Sequence, residues 1–219
     1  MEEKNTDSIG SLQKEYHSLK DRISERISEF KTKWLEGSEE DIFYELIFCL
    51  MTPQSKAELC WSATEKIKKK DIRGIVKVSD IQELMKGVRF KYKKSEYIFE
   101  AREKLLENGK FIIKRKLIAM DDVLEKREWL IKNIKGIGYK EAGHFLRNIG
   151  FGDKIAILDR HILRNLSLFG VIRDKFGSIS GKKYIEIENS MIKFSKRVDI
   201  PLDHLDLLFW YRETGNIFK

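Results

Sequence analysis

Residues 130–166 decide the fold: Leu130-Ile-Lys-Asn-Ile-Lys-Gly136-Ile-Gly138-Tyr-Lys140-Glu-Ala-Gly-His-Phe-Leu-Arg-Asn-Ile-Gly-Phe-Gly-Asp-Lys-Ile-Ala-Ile-Leu-Asp159-Arg-His-Ile-Leu-Arg-Asn-Leu166. The pattern predicts a helix up to Asn133 and a second from Tyr139 to about Ile149. Between them, Gly136 and Gly138 flank one apolar residue, Ile137. Two glycines so placed make a tight turn, tolerate positive φ and let a ligand come close to the backbone. The first amides of the second helix have no partner within it and carry the positive end of its dipole. A phosphate fits there without a cationic side chain. Lys140 stands just after the turn, and Asp159 opens a further helix expected to reach Phe169.

Outward from this stretch, 219 residues suit one large domain or two small ones and can bury a good core. A formal charge of +8 and a pI near 9.3 favour a polyanionic partner. Lysine and glutamate are abundant while proline is scarce, a bias of heat-adapted proteins. Cys49 and Cys60, both in apolar helical settings, read as buried thiols. The first residues are charged and no apolar run approaches membrane-spanning length, so a soluble, cytoplasmic protein is expected.

The N-terminal half reads as helices. Leu12, Tyr16, Leu19, Ile23, Ile27, Phe30 and Trp34 recur at spacings of three and four, predicting an amphipathic helix over 8–35 that ends at Gly37. Ser38 with Asp41 resembles a helix start. The segment 41–51 is apolar nearly all round, the mark of a central helix. Thr52-Pro53 stops it, and Pro53 suits the first turn of the next. Further helices are expected to end in Lys68–Lys70, to run from a Ser79 cap to about Lys86, and, after a turn over 87–94, to last to Asn108, where Gly109 closes. Residues 87–94 interleave cations with Phe90 and Tyr92, a composition that suits nucleic acid. Residues 111–119 show no helix cap and stay unassigned. Asp121 or Asp122 caps the helix leading to the glycine turn. In the C-terminal third, helices are expected from Ser180-Gly181 to about Arg197 and over 202–212. His144 and His161 lie on helices at spacings that make no metal site.

Ile134-x-Gly136-Ile-Gly138-x-Lys140-x-Ala142, followed by Ile157-Leu-Asp159-Arg-His-Ile162, resembles the helix-hairpin-helix DNA glycosylase superfamily in its base-excising, strand-nicking branch. Phe48-Cys-Leu-Met-Thr-Pro-Gln54-Ser-Lys-Ala57 is similar to a second segment of that family. Val88-Arg-Phe90 and the ending Asn216-Ile-Phe-Lys219, with Trp210 before it, resemble archaeal-type 8-oxoguanine glycosylases. The likeness covers about residues 40–166 with clear motifs and the tail more loosely. No cysteine follows Cys60, which excludes the iron–sulfur cluster that some related enzymes carry.

The resemblance implies an all-α fold of two helical subdomains flanking a DNA-binding cleft. Residues 1–37 with 151–219 would form one, and 38–150, including a helix-hairpin-helix over about 129–149, the other. It implies an enzyme that removes 8-oxoguanine from double-stranded DNA and nicks the strand. Lys140 would be the nucleophile, Asp159 the catalytic carboxylate, and Gly136 and Gly138 the backbone grip. Gln54 would fill the gap left by the extruded nucleotide, though a polar residue in a helix's first turn is the ordinary alternative. Trp210, Phe90 and Lys219 would contact the base; their alternatives are core rings for the first two and a solvated end for the third. No cofactor is implied and no metal is required, although backbone carbonyls of Lys132, Ile134 and Ile137 can hold an ion in the family. A monomer of prokaryotic, heat-adapted origin, with no membrane partner, completes the expectation. An oxidised-pyrimidine endonuclease of the same superfamily and a noncatalytic duplex-binding module are the competing readings.

Overall fold

The computed structural model describes residues 8–173, 179 and 181–218, and eleven α-helices build that part of the chain. Helix α1 (Ile9–Glu36) starts where the Ser8 hydroxyl accepts from the Ser11 amide, and it buries Leu12, Tyr16, Leu19, Ile23, Ile27 and Phe30. Helix α2 (Glu39–Met51) opens with a reciprocal capping box: the Asp41 amide donates to Ser38 Oγ and the Ser38 amide to the Asp41 carboxylate. Every side chain from Ile42 to Met51 is buried, as a central helix requires.

The next elements depart from the sequence reading in three places. Helix α3 (Ala57–Lys70) begins four residues beyond Pro53, which instead stands second in a hydrogen-bonded Thr52–Ser55 turn. A single 3-10 turn (Ile72–Gly74) leads to α4 (Val78–Leu84), whose N-cap is Lys77, so Ser79 lies inside the helix. Helix α5 (Lys91–Leu105) stops before Asn108. There Asn108 and Gly109 both take positive φ and join β1 (Leu106–Glu107) to β2 (Lys110–Phe111), with Leu106 opposite Phe111. Asn-Gly is the two-residue hairpin signal, and it overrides the helical pattern running into it.

The unassigned stretch contains α6 (Ile113–Ile118). Its first-turn amides, Lys114 and Arg115, donate to the Glu39 carboxylate of α2 at 2.6 and 2.7 Å. The cap comes from a distant element, so no local residue announces it. The remaining helices are α7 (Val123–Asn133), α8 (Tyr139–Asn148), α9 (Arg160–Leu168), α10 (Gly181–Val198) and α11 (Leu202–Thr214). Asp122 stands at the N-cap of α7 but makes no capping bond with its side chain. Ser180 lies outside the described residues.

Apolar burial gathers in two clusters. One draws on α2 to α8 and runs from Ile42 to Ile155; the other joins α1 to α9, α10, α11 and the lead-in residues Ala156 and Leu158. The packing changes hands between Ile155 and Ala156, on the strap that delivers Asp159. A buried ion pair spans the two masses: Arg127 of α7 puts Nη1 at 2.7 and 2.8 Å from the two carboxylate oxygens of Glu188 on α10. Cys49 and Cys60 are buried and form no disulfide with each other, and burial pushes the Cys60 thiol up to about 11.

Candidate active site

Helices α7 and α8 are joined by Ile134–Gly138, with Ile134 and Ile137 buried as anchors. Gly136 has φ +85, and a β-carbon there would lie 2.3 Å from the Tyr97 ring, so both conformation and space demand glycine. Gly138 has φ −106 and ψ −172, so only one of the two glycines uses the left-handed region. Gly138 is the N-cap of α8, and no side chain caps that helix. The Ile134 carbonyl, one of the three considered for an ion, accepts from the Ile137 amide at 3.2 Å.

A cleft of about 1570 Å³ opens at this helix start, and Gly138, Lys140, Gln54, Asp159 and Trp210 all line it. Lys140 is partly buried, with Nζ 3.1 Å from Glu141 Oε1. Asp159 is the N-cap of α9: its Oδ1 accepts from the His161 and Ile162 amides at 2.8 and 2.9 Å. Among the described residues Oδ2 has no hydrogen bond, so one oxygen fixes the carboxylate's aim while the other accepts from no described donor.

Two features bring these side chains to the same cleft. Gly143, inside α8, allows that helix to lie on the strap before Asp159; a β-carbon there would come 3.0 Å from the Ala156 carbonyl oxygen. The strap itself is held by α10. Tyr184 Oη donates to the Ala156 carbonyl at 2.7 Å and accepts from the Leu158 amide at 3.1 Å, while Glu188 accepts from the Ala156 amide at 2.8 Å. None of Gly143, Tyr184 or Glu188 carried a sequence signal of its own, since each acts across elements.

Gln54 is exposed at the cleft with φ +55, the place in a proline-led turn where glycine or asparagine usually stands. A residue with a β-carbon pays roughly 1–3 kcal/mol for such a conformation, which persists only where its surroundings impose it. The position is a turn, not a helix's first turn as the sequence suggested. Behind it the ammonium of Lys94 is buried; burial pulls it down to about 8, and nearby Lys140 and Arg89 act in the same direction.

On the far wall, Trp210 is partly buried, with its ring edge-on to His161 at 5.0 Å. His161 Nδ1 is 3.6 Å from Glu213, which also meets Arg164. Deeper, burial pushes the Asp206 carboxyl up to about 7; Arg147, with Nε 3.3 Å away, opposes this, and Asp159 and Asp203 reinforce it. Phe90 is 56% exposed, against Arg89, and does not line the cleft. It is therefore not the core ring that the alternative reading allowed. Lys219 lies outside the described residues, while Phe218 packs partly buried against the first core.

A helical hairpin beside a cleft that holds a lysine and a carboxylate is the arrangement of a helix-hairpin-helix DNA glycosylase. The family model described as 8-oxoguanine DNA glycosylase, of helix-hairpin-helix type, matches residues 23–200. An 8-oxoguanine DNA glycosylase/AP lyase of Fusobacterium nucleatum is 46% identical over 216 residues, 99% of this chain and all of that protein. The solved 8-oxoguanine DNA glycosylase of Thermotoga maritima superposes with a TM-score of 0.84 at 33% identity, covering 96% of this chain and 98% of that one. The Methanocaldococcus jannaschii 8-oxoguanine glycosylase/lyase, solved with a 15mer DNA containing 8-oxoguanine, gives 0.83 at 38% identity, covering 95% and 99%. The chain belongs to the 8-oxoguanine DNA glycosylase family. Among the described residues no helix is long and apolar enough to cross a membrane.

Proposed function

We propose that the chain excises 8-oxoguanine from duplex DNA and then cleaves the strand at the abasic site, with Lys140 as nucleophile and Asp159 as its partner. One observation carries the assignment of roles: both side chains line the cleft at the uncapped start of α8. A base inside a duplex is out of reach, so it must be flipped into the cleft first. The neutral Lys140 amine bonds to C1′ as the glycosidic bond breaks, and the base leaves with that electron pair and takes up a proton. The sugar ring opens to an iminium. Removal of a C2′ proton then expels the 3′ phosphate, and water releases the lysine. Asp159, ionised, steadies the positive charge that builds on the sugar. The hairpin amides hold a backbone phosphate, and no step needs an ion at the hairpin carbonyls.

Gln54 and Trp210 line the cleft and support the roles of gap-filling residue and base wall. That support does not extend to Phe90. Lys219 is assigned to the base only by likeness to the family's tail, and its deletion should cost base discrimination more than cleavage at a preformed abasic site. The chain is read as a DNA-bound monomer in a prokaryotic cytoplasm; its lysine- and glutamate-rich composition supports a heat-adapted source.

Borohydride should trap the enzyme covalently on duplex carrying 8-oxoguanine opposite cytosine, and Lys140→Gln should abolish the adduct. Trapping that survives the substitution would move the nucleophile elsewhere. Incision of thymine glycol in preference to 8-oxoguanine would favour the pyrimidine-damage reading, and incision of neither would leave a binding module.

A further inference from the structure

Lys94 is a buried cation that the proposed chemistry does not use. It sits in the first turn of α5 and is 5% exposed. Its Nζ is 2.6 Å from the Met51 carbonyl oxygen, 2.6 Å from the Pro53 carbonyl oxygen and 3.0 Å from Ser55 Oγ. An ammonium has three protons to donate, and here each has an acceptor. Ser55 Oγ also accepts from the Arg89 amide at 3.0 Å, tying the same turn to the entry of α5.

These acceptors do two different things. Met51 is the last residue of α2, and a cation on its carbonyl is an ordinary cap for a helix C-terminus. The other two bracket Gln54. The Pro53 carbonyl belongs to the peptide that contains the Gln54 nitrogen, and Ser55 is the next residue. Capping α2 needs neither. Gln54 is also the residue held at positive φ, a conformation that a side chain other than glycine keeps only when its neighbours over-determine it. Lys94 grips the turn on both sides of that residue.

We propose that Lys94 is a positioning residue for base extrusion: it locks the Thr52–Ser55 turn so that Gln54 is presented to the DNA stack. The proposal rests on the reading of Gln54 as the gap-filling side chain. Lys94 touches no reacting atom and works through Gln54. Substituting either residue therefore removes the same contribution, and removing both removes it once.

The test compares two substrates under single-turnover conditions. Duplex carrying 8-oxoguanine needs the gap filled; a preformed abasic site in single-stranded DNA has neither a base to extrude nor a stack to repair. Gln54→Ala and Lys94→Met should each slow excision from the duplex, by roughly 10- to 100-fold for a misplaced group. Lys94→Met should leave cleavage of the single-stranded abasic site within about twofold, and the double variant should be no slower on duplex than the slower single. Losses that multiply in the double variant overturn the proposal, as does a Lys94→Met loss equal on the two substrates, which would make Lys94 a helix cap or a charge acting on nearby Lys140 instead. An inert Gln54→Ala defeats the reading of Gln54 itself and this proposal with it, a result distinct from multiplied losses. Should Lys94→Met not fold, Ser55→Ala removes one acceptor while leaving the ammonium. Paired with Gln54→Ala, it faces the same outcomes.

Discussion

Arg127→Met should be among the most damaging single substitutions outside the cleft. Arg127 and Glu188 are 2% and 4% exposed at their side chains, and their ion pair spans the two cores. The guanidinium also stacks over the Tyr139 ring at 5.1 Å, at the first residue of α8. Removing it strands a buried carboxylate whose other partner is the Ala156 amide. Breaking a buried pair from one side costs ~3–5 kcal/mol, because the remaining charge is desolvated and unpaired. For a chain of this size that corresponds to a fall in Tm of roughly 6–20 °C. Adding Glu188→Gln removes the stranded charge while the amide oxygen can still accept from Ala156. The double variant should therefore be more stable than Arg127→Met, by ~1–3 kcal/mol. Urea unfolding followed by far-ultraviolet circular dichroism, with the slope checked for two-state behaviour, reads both differences. A single-variant loss below about 1 kcal/mol, or a double variant less stable than the single, would refute the claim that this pair is a dry link between the cores.

Three other outcomes are expected. Asp159→Ala should lose the α9 cap at ~0.5–2 kcal/mol, whereas Asp159→Asn keeps the cap. In single-turnover excision Asp159→Asn should still fall ~10²–10³-fold, since the charge is gone. Gly136→Ala, at φ +85 and facing the Tyr97 ring, should weaken DNA binding in fluorescence anisotropy at fixed salt; adding Tyr97→Ala restores space but not conformation, so binding returns only in part. The Asp206 carboxyl is raised to about 7 from 3.8, so the folded state holds its proton more tightly than the unfolded state. Its contribution makes the fold more stable as pH falls from about 7 towards 4, by on the order of a few kcal/mol. Wild type should gain stability relative to Asp206→Asn as pH falls over that window in urea titrations, and a difference that stays flat would mean that Arg147 keeps the carboxylate charged.

The hairpin and its lysine were legible because their signals are near in sequence: two glycines at fixed spacing, an apolar residue between them and a helix-opening aspartate nineteen residues past the lysine. Helix α6 was not, because Glu39 of α2 satisfies its first amides. The end of α5 was read too late, since its helical pattern runs into an Asn-Gly pair that belongs to a hairpin. Residues 87–94 looked like one basic, aromatic face for nucleic acid. The fold divides them: Phe90 and Tyr92 are exposed while Lys94 is buried. Spacing held a clue, because Lys94 falls in line with Ile98, Ala101 and Leu105 on the buried face of α5. A cation in an apolar stripe is a cation with internal acceptors. Arg127, between Val123 and Leu130 on α7, obeys the same rule.

Gly143 has a consequence for how such a site evolves. Lys140 and Asp159 are carried by different helices, and their spacing depends on how near the α8 backbone can come to the Ala156 carbonyl of the strap. A single methyl group at this point would spread the pair while leaving both side chains chemically intact. Loss of activity can thus arise from adding a carbon where the enzyme has none.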